Sequence, residues 1–271
     1  MTSSELKKMA QEIRKDIVRT TYSTGKNGAH IGGALSCADL LAVLYGEFID
    51  LNKSDTSVRD RFIMSKGHAA LAQYCALKQV GLLSQDDLDS FEKDGSEFVA
   101  HARHNTKKGL DFSGGSLGLG VSFAVGVALA CKEKRMPNHI YVLLGDGECD
   151  EGIVWEALLF ASHNKLNNMT IIVDYNHLQA DGKIDEVVSL GNLLQKMQSF
   201  TDNALQIDGH DVDAIKRALE APQTDMPKIV VAETVKGKGV SFIENKYNWH
   251  HGSLNEVKFN KAMAELETNG K

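Results

Sequence analysis

Two short apolar segments are each followed by side chains whose oxygen atoms are suited to binding a divalent cation. The segment at 140–144 (IYVLL) runs into Gly-Asp-Gly-Glu, which contains Asp146, and the segment at 169–173 (MTIIV) is followed by Asn176. Mg²⁺ prefers oxygen ligands in octahedral array and commonly bridges a carboxylate and substrate phosphates. Asp146, Asn176 and one backbone carbonyl therefore form a candidate cation site for a diphosphate. Gly-Asp-Gly alone is also typical of a β-turn.

Four of the ten histidines lie in loops rich in glycine or other small residues, namely His30, His68, His101 and His251. Imidazoles in such loops suit hydrogen bonding to a polar, phosphorylated ligand and proton transfer at neutral pH. His250 is an alternative to its neighbour His251. In the same way His104, three residues after His101, is an alternative at the third loop.

The elements that would position these residues are short strands alternating with helices. Strands are predicted at 140–144, 169–173 and 229–232, because these runs are short, β-branched and apolar throughout. Apolar periodicity predicts helices at 6–21, 36–49, 69–80, 119–134, 153–164, 211–219 and 256–266. In the second of these, Ser36 is the expected N-cap and Asp39 its capping-box partner. The alternation predicts a single α/β domain over 1–271, with a mostly parallel central sheet and helices on both faces.

Composition narrows the function classes. Lys and Arg number 30 against 36 Asp and Glu, a formal charge of −6, which argues against a nucleic-acid-binding surface. The four cysteines are widely spaced and predict buried free thiols, as in a reducing compartment. The sequence shows no signal-peptide core and no apolar run of membrane-spanning length. A cytoplasmic location without membrane attachment is therefore expected.

The strings GDGECDEG and DYNHLQADG resemble the transketolase branch of the thiamine-diphosphate enzymes. The resemblance implies the thiamine-diphosphate-binding fold and a divalent metal, Mg²⁺ or in its place Ca²⁺ or Mn²⁺. It assigns metal ligation to the side chains of Asp146 and Asn176 and to the carbonyl of Leu178. Gly147 and Glu148 are assigned to the cofactor site, to which Asn176 also belongs. Glu151 matches a glutamate that the family places near its subunit contact.

The resemblance also assigns the histidines. It implies that His30, His101 and His251 contact the substrate and help to move protons, and that His68 and His251 lie near the diphosphate. The segment at 114–120 (GGSLGLG) resembles the family element GPLGQG. By that match Gly115, Ser116 and Leu117 pack on the cofactor, with serine in place of proline. From its glycines alone, this segment is equally a flexible loop before a helix.

Two of the histidine loops depart from the family pattern. Where the family commonly has Gly-His-Pro, this chain has Ala29-His30-Ile31 and Ala100-His101-Ala102. The residues matched to the cofactor are retained, whereas these loops lie on the substrate side. Cofactor binding is therefore expected, while the identity of the sugar stays open.

The resemblance covers the whole chain but only the first of the family's three domains. The family's activating glutamate and its sugar-phosphate-binding arginines belong to the second, pyrimidine-binding domain. The sequence therefore predicts one subunit of a two-chain transketolase, inactive without a partner chain that carries the pyrimidine-binding domain. The expected assembly is a heterotetramer, acting on sugar phosphates in carbohydrate metabolism such as pentose phosphate interconversion.

Three alternatives remain open at this stage. The first is a related thiamine enzyme acting on a nonstandard sugar, which the altered histidine loops permit. The second is the α subunit of a 2-oxo acid dehydrogenase. Such subunits also carry GDG followed by Asn, but they lack the loops that read SKGH (65–68) and WHHG (249–252) in this chain. The third is a catalytically silent subunit that keeps the cofactor site. The four loop histidines argue against the third, because cofactor storage needs no substrate-facing imidazoles.

Overall fold

A five-stranded parallel sheet forms the centre of the computed structural model, which describes residues 1–49, 51 and 57–268. The strands lie in the order β1-β2-β3-β5-β4, and every neighbouring pair is parallel. Their bounds are β1 Arg61–Met64, β2 Ile140–Gly145, β3 Met169–Tyr175, β4 Ala204–Asp208 and β5 Lys228–Glu233.

Helices pack on both faces of this sheet. They are α1 Ser3–Ser23, α2 Ile31–Ser36, α3 Ala38–Val43, α4 Ala70–Gln79, α5 Gln85–Asp89, α6 Leu119–Glu133, α7 Gly152–His163, α8 Ile184–Val187, α9 Leu193–Gln198, α10 Val212–Glu220 and α11 Glu256–Thr268. The predicted α/β fold with a parallel sheet between two helical layers is thus confirmed. No helix within the described residues combines the length and apolar character needed to cross a membrane.

Alternate residues of the central strands enter two separate hydrophobic clusters. In β2, Tyr141 and Leu143 belong to the cluster that contains α1 to α4, whereas Ile140, Val142 and Leu144 belong to the cluster that contains α6 and α7. Both faces of the sheet are therefore covered, which explains why the strand sequences are apolar without alternation. The four cysteines are free and buried, as predicted.

Two strands were missed by the sequence analysis, and both are at the edges of the sheet. β1 has four residues, too few for a clear pattern, and pairs with β2 alone. β4 pairs with β5 alone, and none of its residues is buried. At the edge of the sheet β4 is only partly covered, so it lacks the continuous apolar character that identified the inner strands.

The predicted cap at Ser36 is wrong, and the predicted helix at 36–49 is interrupted. Ser36 is the last residue of α2, and α3 begins after a break at Cys37. The Ser36 hydroxyl hydrogen-bonds to the Asp174 carboxylate at 2.5 Å instead of capping a helix. The carboxylate of Asp39 faces Arg14, at 3.1 Å from its Nη1. Both side chains therefore bond to residues distant in the sequence and do not form the predicted capping box.

Asp39 is the centre of a buried polar cluster between α1, α3 and the loop after β4. Beside its ion pair with Arg14, it accepts a hydrogen bond from His210 Nδ1 at 2.7 Å. His210 Nε2 accepts the Val235 amide hydrogen at 2.8 Å, so the proton of the neutral ring is on Nδ1. Burial opposes ionisation of Asp39, but the Arg14 guanidinium and the hydrogen bond from His210 together outweigh it and lower the pKa of Asp39 from 3.8 to about 2.

We expect Asp39→Ala to lower the free energy of unfolding by about 3 kcal/mol, because it leaves the buried Arg14 charge without a partner. Urea denaturation at pH 7 measures this. The control is Asp86→Ala, an exposed carboxylate on α5, with an expected change of about 0.5 kcal/mol or less. Because the folded pKa of Asp39 is depressed, the carboxylate's stabilisation is complete above pH 3.8 and disappears as the pH falls through about 2. Equal losses in the two variants would contradict this account.

Candidate active site

A cavity of about 320 Å³ lies at the carboxyl ends of β1, β2, β3 and β5, where ligands of parallel α/β sheets bind. Its walls come from the loops that follow these strands and from three loops that carry histidines. The lining residues are His30, Gly33, Lys66, His68, His101, Gly115, Leu117, Gly145, Asp146, Gly147, Glu148, Asn176, Leu178, Gln179, Ala180, Asp181, Lys236 and His250.

Asp146 joins the loops that follow β2 and β3. Its Oδ2 accepts the amide hydrogens of Asn176 at 2.8 Å and His177 at 2.6 Å, and its Oδ1 accepts that of Gly147 at 2.8 Å. His177 adopts a left-handed backbone conformation, with φ of 64°, which turns its amide toward the carboxylate. Burial, together with the charge of Asp174, raises the pKa of Asp146 to about 6. A cation bound here would stabilise the ionised form.

The other two expected metal ligands lie in the same loop. The Asn176 side-chain oxygen accepts the Leu178 amide hydrogen at 3.2 Å, and the Leu178 carbonyl faces Lys236 Nζ at 3.0 Å. Within the described residues no three His, Cys, Asp or Glu side chains are grouped to hold a metal. A carboxylate, an amide oxygen and a carbonyl are the hard ligands of Mg²⁺ rather than of a transition metal. The donor set therefore fits the expected ion.

A buried ion pair links the elements that carry these loops. Asp174, at the end of β3, pairs with Lys66 and also accepts hydrogen bonds from the hydroxyls of Ser36 and Thr234. Lys66 Nζ donates to the Gly33 carbonyl at 2.9 Å as well. Although burial alone would raise it, the pKa of Asp174 is lowered by the Lys66 ammonium. The pair thereby connects the SKGH loop, α2 and β3 around the cavity.

Lys236 brings a second cationic side chain to the cavity wall. Its ammonium donates to the carbonyls of Leu178 and Gln179 and lies 3.3 Å from His250 Nδ1. Burial lowers its pKa to about 8, so it is mostly protonated at neutral pH. Lys236 thus places positive charge where an anionic ligand would bind, whereas the charge of Lys66 is balanced by Asp174. The sequence analysis did not single out Lys66.

Five imidazoles form a cluster at one side of the cavity, and the ring of His30 lies close to each of the other four. Its ring centroid lies 5.7 Å from that of His68, 5.5 Å from His101, 5.4 Å from His250 and 4.7 Å from His251. Burial, followed by the neighbouring His251 and His101, lowers the pKa of His30 to about 4. His30 is therefore neutral at pH 7 and able both to donate and to accept a hydrogen bond.

The loops that carry His30 and His251 are fastened to each other through their backbones. Ala29 and Gly252 exchange two hydrogen bonds, each of 3.0 Å, in an isolated antiparallel bridge. Gly28 permits this contact, because a Cβ atom there would lie 2.4 Å from the Gly252 carbonyl oxygen. The first and last histidine loops therefore form one rigid wall.

Of the two adjacent histidines, His250 contributes to the cavity lining and His251 does not. The ring of His250 lies 4.9 Å from that of His68, while His251 is exposed beside His30. Because Lys236 donates to His250 Nδ1, the proton of the neutral ring is on Nε2. Burial and the Lys236 charge lower its pKa to about 3. His104 is exposed outside this cavity, which leaves His101 as the third-loop residue.

Most of the sequence-predicted site residues come together, but not all of them line the cavity. Ser116 is exposed and lies outside the lining, whereas its neighbours Gly115 and Leu117 belong to it. The SKGH and GGSLGLG loops touch closely, since a Cβ on Gly67 would lie 2.8 Å from the Gly115 nitrogen. His139, His163 and His210 lie outside the lining.

Comparisons with known proteins agree with this geometry. Residues 6–270 match the family described as transketolase, thiamine diphosphate binding domain. The chain is 39% identical to the 6-deoxy-6-sulfo-D-fructose transketolase subunit SqwG of Clostridium sp. (strain MSTE9), with 98% of both proteins covered. It is 33% identical to an apulose-4-phosphate transketolase subunit of Phocaeicola vulgatus, with 98% of this chain and 95% of that protein covered.

Solved structures give the same result at the level of the fold. Transketolase from Leishmania mexicana superposes with a TM-score of 0.86 at 27% identity, and transketolase from Campylobacter jejuni with 0.86 at 29%. In both comparisons 98% of this chain is covered, but it spans only 41% and 43% of those longer chains. The chain belongs to the transketolase family, in which it corresponds to the thiamine-diphosphate-binding domain.

Proposed function

We propose that this chain is the diphosphate-binding subunit of a two-chain enzyme that transfers a two-carbon ketol unit from a ketose to an aldose. The observation that carries the proposal is the meeting of Asp146, Asn176 and Leu178 with a histidine cluster in one cavity. The end-to-end match to relatives named as transketolase subunits supports it. The family match also favours it over a 2-oxo acid dehydrogenase.

In this proposal the oxygen atoms of Asp146, Asn176 and Leu178 hold Mg²⁺, which in turn holds the diphosphate of thiamine diphosphate. When bound, the cofactor supplies the nucleophilic carbon that allows the ketose carbon–carbon bond to be broken and remade. The ammonium group of Lys236 would offset part of the remaining negative charge of the diphosphate, whereas the charge of Lys66 is balanced by Asp174. The backbone at Gly147 and the loop of Gly115, Ser116 and Leu117 flank the cofactor.

The histidines would contact two ligands, the sugar and the diphosphate end of the cofactor. His30 is neutral and central, so it can donate a hydrogen bond to one hydroxyl and accept one from another. His250 directs Nε2–H away from Lys236, and His68 packs beside it near the diphosphate end. His101 and His251 both lie next to His30, where they would contact the sugar and take part in proton transfer.

We infer that the sugar is a ketose other than the usual pentose phosphates. Two relatives covered almost end to end are named for 6-deoxy-6-sulfo-D-fructose and apulose 4-phosphate. The loops of His30 and His101 lack the Gly-His-Pro pattern and instead place Ala29, Ile31, Ala100 and Ala102 beside the histidines. Altered neighbours on the substrate side, with the cofactor side retained, are consistent with a changed sugar and an unchanged reaction.

The partner in this proposal is a separate chain that carries the pyrimidine-binding domain, in a heterotetramer of two chains of each kind. The solved transketolases are more than twice as long as this chain, which leaves room for the activating glutamate in the partner. Four free, buried cysteines agree with a reducing cytoplasmic compartment.

Activity is expected only when this chain is mixed with its partner, the product of the neighbouring reading frame. The assay supplies thiamine diphosphate, Mg²⁺, an aldose phosphate as acceptor, and as donors a panel of ketose phosphates together with 6-deoxy-6-sulfo-D-fructose. It detects the aldose left after the donor has lost two carbons and the ketose formed when the acceptor gains them. Asp146→Ala should abolish the activity because it removes a metal ligand, while the exposed Asp225→Ala serves as the matched control and should retain it. Ketol transfer by this chain alone would refute the two-chain proposal.

The two adjacent histidines should differ in their effect on cofactor binding. His250 lines the cavity, so His250→Ala is expected to weaken thiamine diphosphate binding by about 10-fold, the loss of roughly one hydrogen bond. His251→Ala should affect the cofactor less and act mainly on KM for the ketose. Calorimetric titration of the assembled pair with thiamine diphosphate measures the first effect. A larger loss of cofactor affinity in the His251 variant would reverse the assignment.

A further inference from the structure

We propose that Glu148 is a positioning residue, whose carboxylate fastens together the three loops that enclose the cofactor cavity. Its Oε1 accepts hydrogen bonds from the Ser65 hydroxyl and from the Gly118 amide, the latter at 2.8 Å. Its Oε2 accepts the Gly145 amide hydrogen at 3.1 Å. These donors belong to the SKGH loop, the GGSLGLG loop and the last residue of β2, which leads into the loop that carries Glu148 itself. This inference rests on the proposed function in one respect only, namely that the ligand enclosed by these loops is thiamine diphosphate.

The segments that bond to Glu148 also pack closely against their neighbours. A Cβ on Gly120 would lie 2.5 Å from Ser65 Oγ, and one on Gly118 would lie 2.3 Å from Ile153 Cγ2 at the start of α7. Gly118 also has a φ of 80°, a left-handed conformation that favours glycine. Because the backbones are in contact, displacement of one loop displaces its neighbours. Loss of the shared carboxylate should therefore loosen all three.

The chemistry of the contacts distinguishes this role from direct ligation of the cofactor. Both carboxylate oxygens are already occupied by donors of the chain, and the side chain is 2% exposed. A carboxylate facing a diphosphate would also repel it. All three partners are donors, so an acceptor-only carboxylate suits the place, whereas a glutamine amide would turn its own N–H groups toward at least one of them.

Glu148→Gln tests this role because it keeps the shape of the side chain and removes part of its accepting capacity. Hydrogen exchange of the full chain without ligand should be about 10-fold faster at the Gly118 or Gly145 amide, with amides of β3 unchanged. Glu156→Gln on α7, an exposed glutamate, is the matched control and should leave these rates unchanged. Unchanged exchange at both glycine amides in the Glu148 variant would overturn the proposal.

Ser65→Ala keeps the test decisive if Glu148→Gln destabilises the whole chain. It removes one donor of the three, and faster exchange at Gly67, whose amide bonds to the Ser65 carbonyl at 2.7 Å, supports the fastening role. Equal exchange there overturns it. A second arm measures thiamine diphosphate affinity of the assembled pair, where Glu148→Gln should bind about 10-fold more weakly at unchanged Mg²⁺. The hydrogen-exchange measurement needs no cofactor, so it tests the role of Glu148 even if the proposed function is wrong. The two proposals can therefore fail separately.

Discussion

The site depends on the register between β2 and β3. Parallel pairing places Gly145 opposite Asp174, so the two strands end side by side and the residues that follow them leave the sheet together. Asp146 then lies within hydrogen-bonding distance of the amides of Asn176 and His177. A slip of one residue would turn alternate side chains to the opposite face and separate the carboxylate from the amide. Both buried faces of the sheet hold this register in place.

Beyond that register, the site is held together by buried charge. Asp146, Glu148 and Asp174 are acidic, Lys66 and Lys236 are basic, and all five are nearly inaccessible to solvent. Charges in such a place are tolerated when they are paired and hydrogen-bonded. The charges of Lys66 and Asp174 balance each other in an ion pair. Among the residues that the structure describes, Asp146 and Lys236 have no such partner, and burial shifts the pKa values of both toward neutrality. The arrangement therefore suits a ligand that brings both a cation and an anion.

Sequence alone predicted those parts of the structure that depend on local pattern. The inner strands were identifiable because burial on both faces makes them apolar throughout, and glycines marked the loops that approach each other closely. The edge strand β1 was missed because its four residues are too few for a clear pattern, and β4 because none of its residues is buried. Ser36 was misassigned because its partner, Asp174, lies 138 residues away. Local propensity carries no information about such a contact.

The same limit applies to the site. Asp146, Asn176 and the histidine loops were identifiable from residue type and spacing, but the orientation of adjacent side chains was not. His250 and His251 are equivalent in sequence, and only the packing of the final loop against Lys236 and His30 separates them. Lys66 was overlooked because a lysine in a loop usually faces solvent. Its burial follows from Asp174, which the sequence places on a different strand.

The backbone bridge between Ala29 and Gly252 has a consequence for how the protein assembles. Its two halves are more than 200 residues apart in the chain. The contact between Asp146 and Asn176 closes a loop of only 30 residues. Short loops close at a lower entropic cost than long ones. During synthesis Asp146 and Asn176 can therefore be brought together early, while the wall of imidazoles forms only after the ribosome has delivered the final loop.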